Sequence, residues 1–267
     1  MFQKIGFIGT GTMGSAVASA VSKSGLARSI LLSNRTAARA QALSASLPGS
    51  SVSTNPEIAE TCDLIFLGVK PQMMEDMLLQ LQPVFRKRAD SFVLVTMAAG
   101  LSCSRIREMA GVSCPVIRMM PNTPASIGAG VVQYCGLDAD EEALRDFASL
   151  LSPAGLVDPI AEPLMDAASC VSGCGPAFAY LFIEALADGG VACGLPRDKA
   201  LVYAAQMLEG SARMVLSTGE HPGRLKDAVC SPGGTTIQGV RALEEQGFRA
   251  AAMNAVIKAY EKTKALG

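Results

Sequence analysis

The sequence predicts an α/β chain in two parts: a doubly wound sheet over residues 1–160 and an all-α part over 161–267. Three observations predict it. A short apolar strand near the start leads at once into a glycine-rich turn and a small-residue helix. Apolar strand runs then alternate with helical stretches for the first half and beyond. After Ala161-Glu162-Pro163 no further strand run occurs, and helices take over.

Lys4-Ile5-Gly6-Phe7-Ile8 reads as a buried strand, and Gly9-Thr10-Gly11-Thr12-Met13-Gly14 follows directly. Helical spacing begins at Ala16. This is G-x-G-x-x-G between a strand and a helix, the setting in which the pattern signals a dinucleotide. The first glycine permits the tight turn, the second lets the backbone approach a pyrophosphate, and the third lets the helix pack on its strand. The first part is therefore expected to be a Rossmann-type domain.

The second strand, Ile30-Leu31-Leu32, ends in Ser33-Asn34-Arg35-Thr36. An acidic side chain at this point would take both ribose hydroxyls of NAD. Here stand a hydroxyl, an amide and a guanidinium instead, which suit a 2′-phosphate and repel nothing negative. The expected cofactor is NADPH, with NADH a weaker donor.

Three further apolar strands repeat the alternation. Asp63–Leu67 ends in Gly68-Val69-Lys70-Pro71, Phe92–Val95 in Thr96-Met97-Ala98-Ala99-Gly100, and Val116–Arg118 in Met119-Met120-Pro121-Asn122. Helices are expected near 72–82 and 102–110. Such alternation specifies a parallel sheet covered on both faces, with ligands at the carboxyl ends of its strands. Small residues at those ends leave space for a cofactor. Asn55 lies at another such end, placed to reach the adenosine side. Strands near 130–135 and 155–160 and a helix near 140–151 complete the expected sheet.

In the second part, Val171 to Pro176 breaks one helix and starts the next, with Pro176 in a first turn. Helices are expected over 177–191, 198–216, 225–230 and 248–264. The first of these is apolar nearly all round (Phe178, Tyr180, Leu181, Phe182, Ile183, Leu186, Val191), so burial on several sides is expected. Burial of that extent in about a hundred residues calls for a second subunit.

Before the last two helices comes Ser231-Pro232-Gly233-Gly234-Thr235-Thr236. A Gly-Gly turn leaves N–H groups uncovered, and a helix start aims several more at one point. Together they make a small anion pocket with two hydroxyls at its rim. An ordinary helix start capped by threonine is the plainer reading of the same residues.

Bulk composition narrows the classes. The 267 residues are 49% hydrophobic and 18% charged, with net charge −1. Charges are interspersed and aromatics are few, which gives nucleic-acid binding no support. No uncharged apolar run of about eighteen residues appears, so no membrane span is expected. The strand pattern from Met1 onward leaves no room for a leader, and the expected location is the cytoplasm. The eight cysteines (62, 103, 114, 135, 170, 174, 193, 230) show no Cys-x-x-Cys, and His221 is the only histidine. No metal site is expected. Reduced core cysteines are.

The ordered set of motifs resembles one family over essentially the whole chain, pyrroline-5-carboxylate reductase. It comprises Phe7–Gly14, Val69-Lys70-Pro71, Ala98-Ala99-Gly100, Met120–Pro124, Val171–Ala177, Asp188-Gly189-Gly190, Gly194–Arg197 and Leu225-Lys226-Asp227. Ser231 to Thr236 is the most specific member. The resemblance implies NADPH-dependent reduction of the C=N bond of L-1-pyrroline-5-carboxylate to L-proline, the last step of proline biosynthesis. It implies a homodimer through the helical part and leaves a larger ring of dimers open.

The resemblance also implies site roles. Backbone amides of the loop at Ser231, Gly233 and Gly234 would hold the substrate carboxylate. Thr235 would add an N–H, and Thr236 an N–H and a hydroxyl near the ring nitrogen, making Thr236 the candidate catalytic residue. Glu162 matches a position that touches substrate. The cofactor pocket would take Ile8 to Gly14, Asn34, Arg35, Asn55, Gly68 to Pro71 and Met97 to Ala99. Two positions depart from the family: Cys174 stands where serine is usual, and Ala228 where some members have an asparagine against the cofactor, so that contact is not carried over.

Two other readings share this architecture. Carbonyl-reducing β-hydroxyacid dehydrogenases resemble one another in a helix lysine that protonates the carbonyl oxygen. Residues 176–187 contain no lysine. Imine reductases of bulkier amines lack a carboxylate clamp, which the Gly-Gly-Thr-Thr turn supplies. A non-catalytic NADP-binding dimer is the alternative outside enzymes.

Overall fold

The computed structural model describes residues 2–265, which form two compact units. The first runs to Cys174 and takes in the residues from Ala259 onward; the second is Gly175–Lys258. The sequence reading places the boundary at residue 160, before the helix Met165–Ser172 that belongs to the sheet unit.

The sheet unit follows the expected alternation: β1 (Lys4–Ile8), α1 (Thr12–Ser24), β2 (Ser29–Ser33), α2 (Ala37–Ser46), β3 (Ser50–Val52), α3 (Asn55–Thr61), β4 (Leu64–Leu67), α4 (Met74–Phe85), β5 (Val93–Thr96), α5 (Cys103–Ala110), β6 (Val116–Pro121), β7 (Gly130–Leu137), α6 (Glu141–Leu151), β8 (Gly155–Pro159) and α7 (Met165–Ser172). The eight strands lie in the order β3-β2-β1-β4-β5-β6-β7-β8. The chain reverses direction across the sheet between β1 and β4, so the crevice outside their carboxyl ends is the place for a ligand.

Strand alternation explains why both faces are covered. Leu64 and Phe66 of β4 join one core with Phe7, Val17, Val21 and Phe147, whereas Ile65 and Leu67 join the other with Met74, Leu78, Phe85 and Ile106. Phe7 stacks on Phe66 with ring centroids 4.5 Å apart. Every residue of β4 is buried, as a strand sandwiched between helix layers requires. Asp63 pins the start of β1, its Oδ2 accepting from the N–H groups of Gln3 and Lys4, each at 2.9 Å.

One expectation needs correction. The sheet is not parallel throughout: β7 runs antiparallel to β6, and β8 is parallel to β7. Only a 3₁₀ turn (Thr123–Ile127) and a few residues join β6 to β7. A parallel return needs a crossover of about a dozen residues or more, so the chain can only fold straight back.

The second unit contains α8 (Gly175–Ala192), α9 (Arg197–Thr218), α10 (Pro222–Ala228) and α11 (Thr235–Glu245), with most of α12 (Phe248–Lys264). Helices α8 and α9 lie along each other. A Cβ on Gly190 would already stand 3.4 Å from that of Ala200, which shows how closely the backbones approach. α10 begins three residues before the expected start: Pro222 takes the first helical position, and the His221 side chain caps it, Nδ1 accepting from the Gly223 N–H at 3.1 Å.

Burial of α8 is not found in the single chain. Ala187 is its only buried residue, while Tyr180 is 60% and Leu181 68% exposed. Val202, Tyr203 and Met214 of α9 and Met253 of α12 are exposed as well. The stretch Glu162–Ala192 is also long and apolar enough, by length and composition, to cross a membrane. Isolated acids along it hid that property in the sequence.

Candidate active site

The turn after β1 is built on contacts that only glycine allows. Gly9 has φ +102°, and a Cβ there would stand 2.6 Å from the Gly68 carbonyl oxygen. Cβ atoms on Gly14 or Gly68 would reach 2.2 and 2.3 Å from the Gly9 carbonyl oxygen. These three glycines lock the ends of β1 and β4 against the start of α1. Gly11 is different: nothing lies within 4 Å of where its Cβ would be, so its side of the turn faces open space. Gly11 also caps α1, no side chain supplies a capping bond, and the first turn holds no acid. The helix start thus presents uncovered N–H groups and partial positive charge.

A cleft of 640 Å³ opens there, lined by Ile8, Gly9, Gly11, Asn34, Arg35, Asn55, Gly68, Val69 and Lys70 among the expected residues. Asn34 Oδ1 accepts from the Thr10 N–H at 3.1 Å, and the Ser33 hydroxyl donates to Asn55 Oδ1 at 2.6 Å, which ties the ends of β1, β2 and α3 together. The Thr10 hydroxyl is buried and has no partner in the protein. Such an orphan at the mouth of a phosphate turn is a fitting donor for a nucleotide oxygen. Thr10 and Thr12 line a second opening of 450 Å³ beside the first.

Arg39 lines both openings. Sequence reasoning passed over it, although a second guanidinium four residues after Arg35 was the available signal. With Arg35 and Lys70 it makes three cations around the cleft, with Asp76 the one acid among the lining residues. That charge, the open Gly11 face and the orphan Thr10 hydroxyl fit an NADP-type dinucleotide. Met13, Gly14, Pro71 and Met97 to Ala99 do not line the cleft. Gly14 and Ala98 are buried beneath it, and Ala98 donates its N–H to Thr96 Oγ1 at 3.2 Å.

Glu162 lies in a polar cluster of the same unit. Its Oε1 accepts from the Cys103 N–H at the start of α5 at 2.7 Å and stands 3.8 Å from Arg118 Nη1. Arg118, 5% exposed, pairs with Asp166 at 2.5 Å, and Lys264 reaches the other Asp166 oxygen at 3.3 Å. Burial acts to raise the Asp166 pKa, but the bonds from Arg118 and Lys264 outweigh it and hold the carboxyl below its ordinary value. A 390 Å³ cavity is lined by Ser102, Arg118, Glu162, Asp166, Thr263 and Lys264 among others.

Cys103, Cys135 and Glu162 also converge in this cluster, with one ligand atom of each within 4.8 Å of the others. The neighbouring Cys135 thiol, together with burial, pushes the Cys103 pKa up, while Cys103 lowers that of Cys135 against the opposing effect of burial. Spacing could not reveal the trio, because three separate elements bring it together. All eight cysteines are free thiols.

In the helical unit the Ser231–Thr236 loop takes its own form. Gly233 has φ +67°, and the Gly234 N–H donates to the Ser231 carbonyl at 3.1 Å. Gly234 caps α11, and no side chain supplies a capping bond. The plainer reading, a threonine cap, is therefore not what the structure holds. Thr235 and Thr236 are the first residues of the helix, exposed, and their N–H groups belong to its uncovered start.

Comparison with known proteins matches this layout part by part. Residues 4–100 match the family model "NADP oxidoreductase coenzyme F420-dependent", and residues 162–266 match "Pyrroline-5-carboxylate reductase dimerisation". A pyrroline-5-carboxylate reductase of Escherichia coli is 41% identical over 269 residues, covering 100% of this chain and 99% of its own length. The chain belongs to the pyrroline-5-carboxylate reductase family. A member from Pisum sativum is 42% identical over 98% of this chain and 95% of its own. The pyrroline carboxylate reductase of Plasmodium falciparum, solved with NADP bound, superposes with a TM-score of 0.86 at 33% identity, covering 99% of this chain and 98% of that one. Membership in the reductase family accounts for both halves at once, a dinucleotide cleft and a helical part made for pairing.

Proposed function

We propose that this protein reduces the C=N bond of L-1-pyrroline-5-carboxylate to L-proline with NADPH, the last step of proline biosynthesis. The observation that carries the reading is the uncapped start of α11 at Gly234, directly behind the Ser231–Gly234 turn, in a chain of this family.

When bound, NADPH supplies the hydride. The protein's own work is positioning and electrostatics. In the cleft, the start of α1 and the Thr10 hydroxyl hold the pyrophosphate side, while Arg35 and Arg39 take the 2′-phosphate. In the loop, the Gly234 N–H closes the turn onto the Ser231 carbonyl, and the N–H groups of Thr235 and Thr236 hold the substrate carboxylate at a site favoured by the helix dipole. The Thr236 hydroxyl meets the ring nitrogen, steadies it as it becomes an amine and relays a proton from water. Glu162 contributes a carboxylate near the cationic imine. An imine becomes far more electrophilic on protonation, so the reaction demands orientation more than a strong acid. Carbonyl reduction is disfavoured because α8 has no lysine to protonate an alkoxide.

The chain forms a homodimer through its helical part, and the second copy covers the exposed faces of α8, α9 and α12. That assigns the apolar stretch Glu162–Ala192 to an interface rather than a bilayer and is consistent with a cytoplasmic enzyme. A ring of such dimers is the larger assembly this reading allows. NADPH oxidation with pyrroline-5-carboxylate, set beside oxidation of β-hydroxyacids, tests the function. Turnover of the imine alone is expected, and turnover of the hydroxyacids alone would overturn it.

A further inference from the structure

Cys103 is the first residue of α5, Cys135 lies on β7, and Glu162 lies in the turn before α7. One ligand atom from each stands within 4.8 Å of the other two, the single such group among the described residues. Cys103 is fully buried, while Cys135 and Glu162 are half-buried. Neither thiol has a part in the reduction described above.

Two sulfurs and one carboxylate suit borderline or soft cations, whereas Mg²⁺ and Ca²⁺ sites are built from oxygen. Zinc holds sulfur at about 2.3 Å and carboxylate oxygen at about 2.0–2.2 Å, which puts donor atoms of a tetrahedral site roughly 3.5–3.8 Å apart. From separations of at most 4.8 Å, the trio therefore needs a contraction of no more than roughly 1.0–1.3 Å. Charge also balances. Two thiolates and a carboxylate carry three negative charges; a divalent ion offsets two, and the adjoining group of Arg118 and Lys264 around Asp166 leaves one positive charge to face the third. The 390 Å³ cavity is lined by Glu162 and by Ser102, next to Cys103, but by neither thiol, so it offers approach and room for water as a fourth ligand on the carboxylate side.

We propose that Cys103, Cys135 and Glu162 form a binding site for a thiophilic divalent cation of the Zn²⁺ class. Binding replaces the two thiol protons with metal–sulfur bonds and releases them to solvent; no electron is transferred. Glu162 also caps the start of α5, so the ion tightens the junction of α5, β7 and the turn before α7. It also draws Glu162 away from substrate and inhibits turnover. That last consequence, unlike the site itself, rests on the proposed function.

The test is a titration of the reduced, full-length protein with Co²⁺ as a spectroscopic probe, followed by displacement with Zn²⁺. Thiolate-to-cobalt charge-transfer absorption is expected at one ion per chain. It is lost in Cys103→Ser and in Cys135→Ser, and kept in Cys170→Ser and Cys193→Ser. Glu162→Gln keeps the absorption but weakens affinity by at least the ~10- to 100-fold that loss of an outer-shell partner already costs. Should the buried Cys103→Ser fail to fold, the half-buried Cys135→Ser decides, with NADPH binding as its folding control. Absence of the absorption in the native sequence, or its survival in Cys135→Ser, overturns the site. Zn²⁺ inhibition that Cys135→Ser relieves supports the coupling to catalysis. Lack of reductase activity would remove the coupling and leave the cobalt result standing.

Discussion

The turn at Gly9–Gly14 and the loop at Ser231–Thr236 are made of the same material, glycines before a helix start that no side chain caps. They differ in what surrounds them. Gly9, Gly14 and Gly68 are interlocked so tightly that any Cβ would stand 2.2–2.6 Å from a carbonyl oxygen. Around Gly233, nothing lies within 4 Å of the Cβ position; the tight contact of the loop is at Gly234, where a Cβ would stand 2.3 Å from the Ser231 hydroxyl, a rotatable side chain rather than backbone, and both threonines are exposed. The first site is finished by its own sheet. The second presents a backbone shape and leaves the rest of its surroundings to ligand and to a second subunit, which teaches that a dinucleotide crevice can be preformed while a small-anion clamp stays open.

Gly14→Ala breaks that contrast hardest. Its Cβ must push the Gly9 carbonyl, and NADPH affinity is expected to fall by about 100-fold or more, roughly 2.8 kcal/mol, in a fluorescence titration. Thr236→Ala probes the open site: kcat for the imine is expected to drop about 100-fold, the low end for an assisted proton transfer, while NADPH affinity holds and Thr236→Ser recovers most of the loss. Unchanged turnover would remove the role given to this hydroxyl.

Asp166→Ala tests whether the polar cluster supports the sheet unit. Breaking a buried pair costs about 3–5 kcal/mol, and because Glu162 still faces Arg118 we expect about 2 kcal/mol by denaturant unfolding. The Asp166 pKa is depressed in the folded state, so its contribution is fully present above about pH 3.9, the unfolded value. It is lost as pH falls through the folded pKa, and the variant and native curves should converge in that acid limb.

Arg39→Ala should weaken NADPH by about tenfold, the scale of one charge-assisted bond, and leave NADH untouched. Gly233→Ala is the mildest. Only its left-handed backbone opposes the change, at a cost of about 1–2 kcal/mol shared between folding and carboxylate binding. An effect as large as that of Gly14→Ala would show that the loop is as tightly built as the turn.

Legibility followed the range of the forces. The β1 turn, the α12 limits and the break at Gly173-Cys174 could be read because each is set by residues close in sequence. The reversal of β7 was missed because apolar runs look alike in either direction; the short β6–β7 connection was the clue. Arg39 escaped because its approach to the cleft depends on how α2 leaves β2. The Cys103–Cys135–Glu162 trio was illegible for a stronger reason: 59 positions separate the Cys103 N–H from the Glu162 carboxylate that accepts its bond. The exposed α8 face is the opposite case. Its pattern was plain, but the surface that buries it is not in the single chain.

The central claim is hydride delivery to a cyclic imine. The most direct measurement uses NADPH deuterated on its transferable position and L-1-pyrroline-5-carboxylate, with the product analysed by mass spectrometry and NMR. The account predicts proline carrying the label on the carbon of the former C=N bond, produced far more slowly by Thr236→Ala. Unlabelled proline, or oxidised cofactor with no proline formed, would contradict it.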